Sequence, residues 1–149
     1  MIIRLNRYGF SVLEAIASIA VITLVFTTAL VMILSMRNQV TATENKRIAI
    51  DVASSIKEDL ERSLDYTNLS VWLDNTTKDI NHITCGEFNS PVSCQIFTDN
   101  QTDVILAESI NITFNAQTEP MITYKIIEFQ ITIQYYKTRT ITIEGVLYE

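Results

Sequence analysis

One segment limits what the rest of the chain can be. From Phe10 to Met36 the residues read FSVLEAIASIAVITLVFTTALVMILSM, with a single charge, Glu14, and neither Gly nor Pro. A bilayer core needs about 20 apolar residues at a helical rise of about 1.5 Å each, so this run predicts a membrane-spanning helix. Its scattered Ser and Thr fit that environment, because a hydroxyl on a helix can bond the carbonyl one turn back. The competing reading is a removable secretory signal, whose apolar region is about 7–15 residues long and ends at a small-residue cleavage site. Here the run is longer and passes straight into Arg37 and Asn38.

Charge sets the expected orientation. Arg4 and Arg7 precede the run, whereas Arg37 alone follows it before neutral residues lead to Glu44. Because positive flanks stay cytoplasmic, the N-terminus is expected inside and residues 37–149 outside. Composition supports the division. The chain is 48% hydrophobic over 149 residues, but the excess sits in the first 36, and the remainder reads as one ordinary domain. With Arg4 and Arg7 set aside, nine Lys and Arg face 17 Asp and Glu, a balance of −8. Phosphate binding needs clusters of Lys and Arg, so no direct nucleic-acid partner is predicted.

Helical signals continue past the apolar run. From Asn38 to Asp65 there is no Gly or Pro, and Ile48, Val52, Ile56, Leu60 and Leu64 recur every four residues. Ala49 and Ala53 widen that face, and Lys46, Arg47, Asp51, Lys57, Glu58, Asp59, Glu61 and Arg62 fill much of the rest, the pattern of an amphipathic helix. One helix from Phe10 to about Tyr66 would be on the order of 80 Å long. Residues 66–103 are rich in Asn, Asp, Thr and Ser and read as a connection, with a short helix or strand near Leu69–Leu73 and a strand at Ser93–Phe97. Beyond Val104 strand signals dominate. Ile110, Ile112 and Phe114 alternate with Asn111, Thr113 and Asn115; Tyr124–Tyr136 is β-branched and aromatic; Arg139–Tyr148 alternates through Ile141 and Ile143. Lys137–Thr138 is the expected turn between the last two. The expected class is therefore α+β: a long N-terminal helix, half transmembrane and half amphipathic, packed on a C-terminal antiparallel sheet.

Cys85 and Cys94 are the two cysteines. Outside the cytoplasm they can close a small disulfide loop, for roughly 2–3 kcal/mol on the chain-entropy account; two unlinked thiols are the alternative. His82 is the one histidine, and no G-x-S-x-G, H-E-x-x-H or phosphate-binding Gly loop occurs among only three glycines. No enzyme and no cofactor are therefore predicted. Asp99, Asn100 and Asp103 offer oxygen ligands of the kind calcium takes, against the plainer reading of a solvated polar loop. Asn68, Asn75, Asn100 and Asn111 each begin an N-x-Ser/Thr triplet, which an Asn- and Thr-rich chain produces by chance. Tyr66 and Trp72 are expected over the helix–sheet junction rather than on a ligand.

Residues 4–16, RLNRYGFSVLEAI, form one motif: a short basic leader ending in Gly9, then Phe10, then Glu14 four residues later inside the apolar run. This resembles the class III signal of type IV pilins and pseudopilins, with Ser11 in place of the usual Thr. The resemblance implies cleavage between Gly9 and Phe10 by a prepilin peptidase, N-methylation of Phe10, and pairing of Glu14 with the terminal amine of a neighbouring subunit to set register. The chemistry is coherent. An ionised Glu in hydrocarbon costs about 2.5–3.5 kcal/mol on insertion scales, and cleavage creates a cation to meet it; a Glu14 close enough to the interface to stay hydrated would need none. Major pilins often carry a Gly or Pro within the membrane helix and a cysteine pair near the C-terminus. This chain has Val31 where the Pro is often found, and its cysteines lie mid-chain. With the small-residue stretch Ala15–Ala20, the resemblance thus points to a minor pilin or minor pseudopilin of the class that helps initiate filaments. It implies a cleaved leader at 1–9, a filament-core helix at 10–36 and an extracytoplasmic domain at 37–149. The implied partners are other pilin subunits, the peptidase, an inner-membrane assembly platform and membrane lipid, and the implied location is the inner membrane and then a surface filament. The alternative from a different class is a single-pass anchored domain that binds a ligand or senses a signal.

Overall fold

The computed structural model describes residues 11–86 and 90–149, so Gly9 and Phe10 lie outside the described residues. Helix α1 spans Val12–Ser63. The described residues fall into two compact units, one up to Thr41 and one from Ala42 onward, and each is taken by itself.

In the second unit α1 contributes Ala42, Ala49, Val52, Ala53, Ile56 and Leu60 as buried residues, with Ile48 and Leu64 partly buried against the core. This is the stripe that the four-residue periodicity predicts. The helix stops at Ser63, short of the expected Tyr66. Asp65 is extended (φ −99°, ψ 135°), and its side chain accepts from the Asn68 N–H. It therefore caps a new helix, α2 (Tyr66–Leu73), in preference to continuing the old one. Two consecutive left-handed residues, Asp74 and Asn75 (φ 46° and 56°), then reverse the chain. Asp and Asn are the non-glycine residues that adopt that region most readily.

Four strands follow: β1 (Lys78–Asn81), β2 (Ile110–Phe114), β3 (Ile126–Tyr136) and β4 (Arg139–Tyr148). They form one antiparallel sheet in the order β1-β2-β3-β4. Strand β1 falls inside the stretch expected to be a connection; only Ile80 of its four residues is buried, too little alternation to stand out in sequence. The strand expected at Ser93–Phe97 is instead helix α3 (Gln95–Asp99). Ile96 and Phe97 are both buried, which adjacent residues on opposite faces of a half-exposed strand do not achieve. Ser93 starts the turn, its Oγ accepting from the Gln95 N–H at 3.3 Å. A second short helix, α4 (Glu119–Thr123), with Pro120 in its first turn, precedes β3. Lys125 is left-handed (φ 54°), so β3 begins at Ile126 rather than Tyr124. The expected Lys137–Thr138 turn is present: Tyr136 pairs with Arg139, with a register shift at Gln134/Tyr136.

The core lies between one sheet face and the helices. Ile110, Ile112 and Phe114 of β2 and Ile127, Phe129, Ile131 and Ile133 of β3 are fully buried in one cluster with the α1 stripe, Leu69, Leu73 and Phe97. Trp72 meets Phe114 edge-on, with centroids 6.2 Å apart, and the Tyr66 hydroxyl accepts from Gln117 Nε2 at 3.2 Å. Both aromatics thus pack at the helix–sheet junction. Lys57 joins helix to sheet, its Nζ donating to the Glu144 carbonyl at 3.1 Å. Cys85 and Cys94 form a disulfide, Cα atoms 5.2 Å apart, that ties the turn at Thr84–Gly86 to the start of α3.

Candidate membrane and assembly segment

In the first unit the large apolar side chains are bare. From Val12 to Val40 each is at least 55% exposed, and the exposed set includes Leu13, Ile16, Ile19, Leu24, Phe26, Val31 and Leu34. Successive residues of a helix are about 100° apart, so exposure at so many neighbouring positions means apolar surface on every side. Water is an unfavourable solvent for such a surface at roughly 25 cal/mol per Å². This is the one helix among the described residues long and apolar enough to cross a membrane.

The polar groups within the segment are satisfied locally. Ser18 Oγ donates to the Glu14 carbonyl at 2.7 Å, and Thr23 Oγ1 donates to the Ile19 carbonyl. Thr27 Oγ1 reaches the carbonyls of Thr23 and Leu24 at 2.9 and 3.0 Å, and Thr28 Oγ1 those of Leu24 and Val25 at 3.0 and 2.9 Å. Back-bonded hydroxyls remove the cost of carrying unpaired polar groups into hydrocarbon.

Glu14 lies in the first turn of α1 and is exposed. Ser11 supports that turn: its Oγ accepts from the Leu13 N–H at 3.2 Å, and its carbonyl accepts from Glu14 and Ala15 at 2.9 and 3.1 Å. Ser11 therefore acts as the helix cap, a role the motif comparison did not assign. The signal was present as the S-x-x-E spacing of Ser11 and Glu14 that marks a helix start. A carboxylate here also faces the positive end of the helix dipole. Glu14 thus combines two properties: it is the one charge in the bare apolar stretch, and it stands in the first turn, where the helix N-terminus favours a carboxylate.

The remaining candidates do not converge on this segment. His82 is exposed on the turn after β1. Asp99 and Asn100 end α3, Asn100 Nδ2 donating to the Ile96 carbonyl at 3.0 Å. Asp103 lies in the next loop, which is closed by Thr102 through its hydrogen bonds to Val104 and Ile105. Among the described residues no group of three or more His, Cys, Asp or Glu is gathered in metal-binding fashion. Comparison with family models, with curated proteins and with solved structures finds no match to this chain.

Proposed function

We propose that this chain is a structural subunit of a type IV filament, of the minor pilin or pseudopilin kind, that takes part in pilus or pseudopilus assembly or initiation. The observation that carries the reading is the change of character along α1: apolar side chains are bare through Val40, whereas Ala49 to Leu60 supply the core of a sheet domain. A plain anchor needs only an apolar helix. A helix that also builds its domain's core, begins with a basic leader-Gly-Phe motif and carries one Glu near its start suits a subunit that leaves the bilayer for a protein environment.

In this reading a prepilin peptidase cuts between Gly9 and Phe10, and Phe10 is methylated. The new amine is the cation that Glu14 of an adjacent subunit requires, so processing and assembly are coupled through one charge pair. The copies pack through their apolar helices, and the sheet domains face out. The partners are other pilin subunits, the peptidase, an inner-membrane platform and, before assembly, lipid. The chain begins in the inner membrane with its N-terminus inside and ends in an extracytoplasmic filament.

The test is the intact mass and N-terminal sequence of the membrane-extracted protein, with and without its prepilin peptidase. A chain beginning at methylated Phe10 only in the presence of the peptidase is the expected result. A chain beginning at Met1 in both samples would overturn the reading and favour a membrane-anchored ligand-binding or sensor domain.

A further inference from the structure

The sheet has a second face, turned away from the core. The register places Asp79, Thr113, Gln130 and Glu144 in one row across the four strands and Asn81, Asn111, Thr132 and Thr142 in the next. Glu128 pairs with Val146, and Asn115 adjoins that row through the bond from its N–H to the Glu128 carbonyl at 3.0 Å. No Lys or Arg stands in these rows. Most of the side chains are hydroxyls and amides, which both donate and accept. Three of the hydroxyls are already engaged, Thr113 with Asp79 at 2.6 Å and Thr132 with Thr142 at 3.2 Å.

Within this face lies a depression of about 130 Å³ lined by Asn115, Glu128, Gln130, Glu144 and Val146 over Phe129 and Gly145. Phe129 and Gly145 pair across β3 and β4 beneath it, and the space that a Gly145 side chain would take is filled by the buried Phe129 ring. Neither the Gln130 amide nor the Glu128 and Glu144 carboxylates is ion-paired or hydrogen-bonded through its side chain among the described residues. On the same face, two residues beyond Val146, Tyr148 is 78% exposed. Lys125 pairs with Glu149 beside it, and Tyr124, the residue before Lys125, is also exposed.

We propose that this depression, with Tyr148 two rows further along β4, forms a binding site for a short stretch of an uncharged polysaccharide, one ring in the depression and a further ring against Tyr148. The chemistry selects the class. The lining of the depression holds two carboxylates and no Lys or Arg, which disfavours nucleic acid, acidic lipid and anionic polymers. The centre of the face is polar and lacks the buried aromatic anchors of a protein interface. A polysaccharide matches what remains: the hydroxyls of one ring donate to Glu128 and Glu144 and exchange hydrogen bonds with the amides of Asn115 and Gln130, while the weakly positive C–H face of a further ring lies on the negative face of the Tyr148 ring. Val146, 41% exposed, supplies an apolar contact for a ring edge. The proposal stands independently of filament assembly, since it concerns the folded domain alone.

The experiment is affinity electrophoresis of the full chain, held in an amphiphile without a sugar headgroup, through gels containing dextran, mannan, a soluble β-glucan or chitin oligosaccharides, with alginate as the anionic comparison. Retardation by at least one neutral polymer is expected, together with competition by its free oligosaccharide. Tyr148→Ala and Gln130→Ala should each weaken it at least tenfold, whereas Gln101→Ala, on an exposed loop, should leave it unchanged. Tyr148 is too exposed for its loss to unfold the domain, and circular dichroism of each variant checks this. Passage through all four neutral gels without retardation, retardation that both variants retain, or binding confined to alginate would overturn the proposal.

Discussion

Gly145→Ala should destabilise the sheet domain through one ring. Gly145 pairs with Phe129 across β3 and β4, and an added Cβ would lie 2.1, 2.5 and 2.6 Å from three atoms of that ring. Carbon atoms ordinarily meet at about 3.5 Å or more, so the ring would have to retreat by more than an ångström. It has nowhere to go. Phe129 is fully buried and packs on Phe114 at 5.8 Å between centroids, and Phe114 in turn abuts Trp72. Overpacking of this kind costs about 1–3 kcal/mol. In a unit of this size each kcal/mol lowers Tm by roughly 4–8 °C, so a fall on the order of 10 °C is expected for the full chain in detergent, followed by near- and far-UV circular dichroism. The attribution has its own control. Phe129→Leu removes the far ring atoms, and in that background Gly145→Ala should cost much less, the difference being the coupling of the pair. A Tm within a degree of the parent, or an equal loss in both backgrounds, would refute the argument.

Leu60→Ala, at a fully buried position of the α1 stripe, should cost about 2–5 kcal/mol, read as a shift in the urea midpoint; a loss below 1 kcal/mol would mean that the helix contributes little to this core. Cys94→Ser opens a loop of sequence separation 9 and should cost roughly 2–3 kcal/mol, and reductant should lower the stability of the parent protein but not of the variant. Lys137→Gly should raise Tm slightly, because a left-handed side-chain-bearing residue costs about 1–2 kcal/mol and the added chain entropy of glycine about 0.5–1 kcal/mol. A fall in Tm would show instead that the Lys137 ammonium over the Tyr136 ring, 5.4 Å from its centroid, outweighs the backbone. Glu14→Gln should leave leader removal intact by mass while reducing recovery of the chain in sheared filaments, and normal recovery would remove Glu14 from the assembly scheme.

Which parts of the fold were legible in the sequence follows from how local each signal is. The α1 stripe and strands β2 to β4 announce themselves through repeated apolar spacing, Ile48 to Leu64 at period four and Ile110, Ile112 and Phe114 at period two. Between α1 and β2 the short element expected near Leu69–Leu73 is present as α2, whereas β1 and the helical form of α3 are not legible. The elements of this stretch are three to eight residues long, and its two α-helices are started by a side chain bonded to nearby backbone. Asp65 stops one helix and starts another, and Ser93 turns an apparent strand into α3. Short polar residues offer the backbone such alternatives, and a periodicity count is blind to them. β1 shows the opposite limit: it is a strand because β2 supplies a partner, pairing Lys78 with Phe114 and Asn81 with Asn111, not because its own residues insist on it.

The two candidate sites differ in the same way. Glu14 stands out because its signal is contrast, one carboxylate among apolar neighbours behind a Gly-Phe junction, and contrast survives without a structure. The depression on the outer sheet face has no such signature. Asn115, Gln130 and Tyr148 are separated by 15 and 18 positions, and nothing in that spacing suggests proximity. They share one face because the β2–β3 and β3–β4 registers align Thr113 with Gln130, Gln130 with Glu144 and, two rows on, Ile126 with Tyr148. A one-residue slip would turn every one of these side chains into the core. The buried residues on alternate positions prevent that slip: Ile127, Phe129, Ile131 and Ile133 can face inward in only one register. The core that holds the domain together is therefore also what assembles its outer face, and a substitution such as Gly145→Ala, which displaces Phe129, should alter the depression above it as well as the stability beneath.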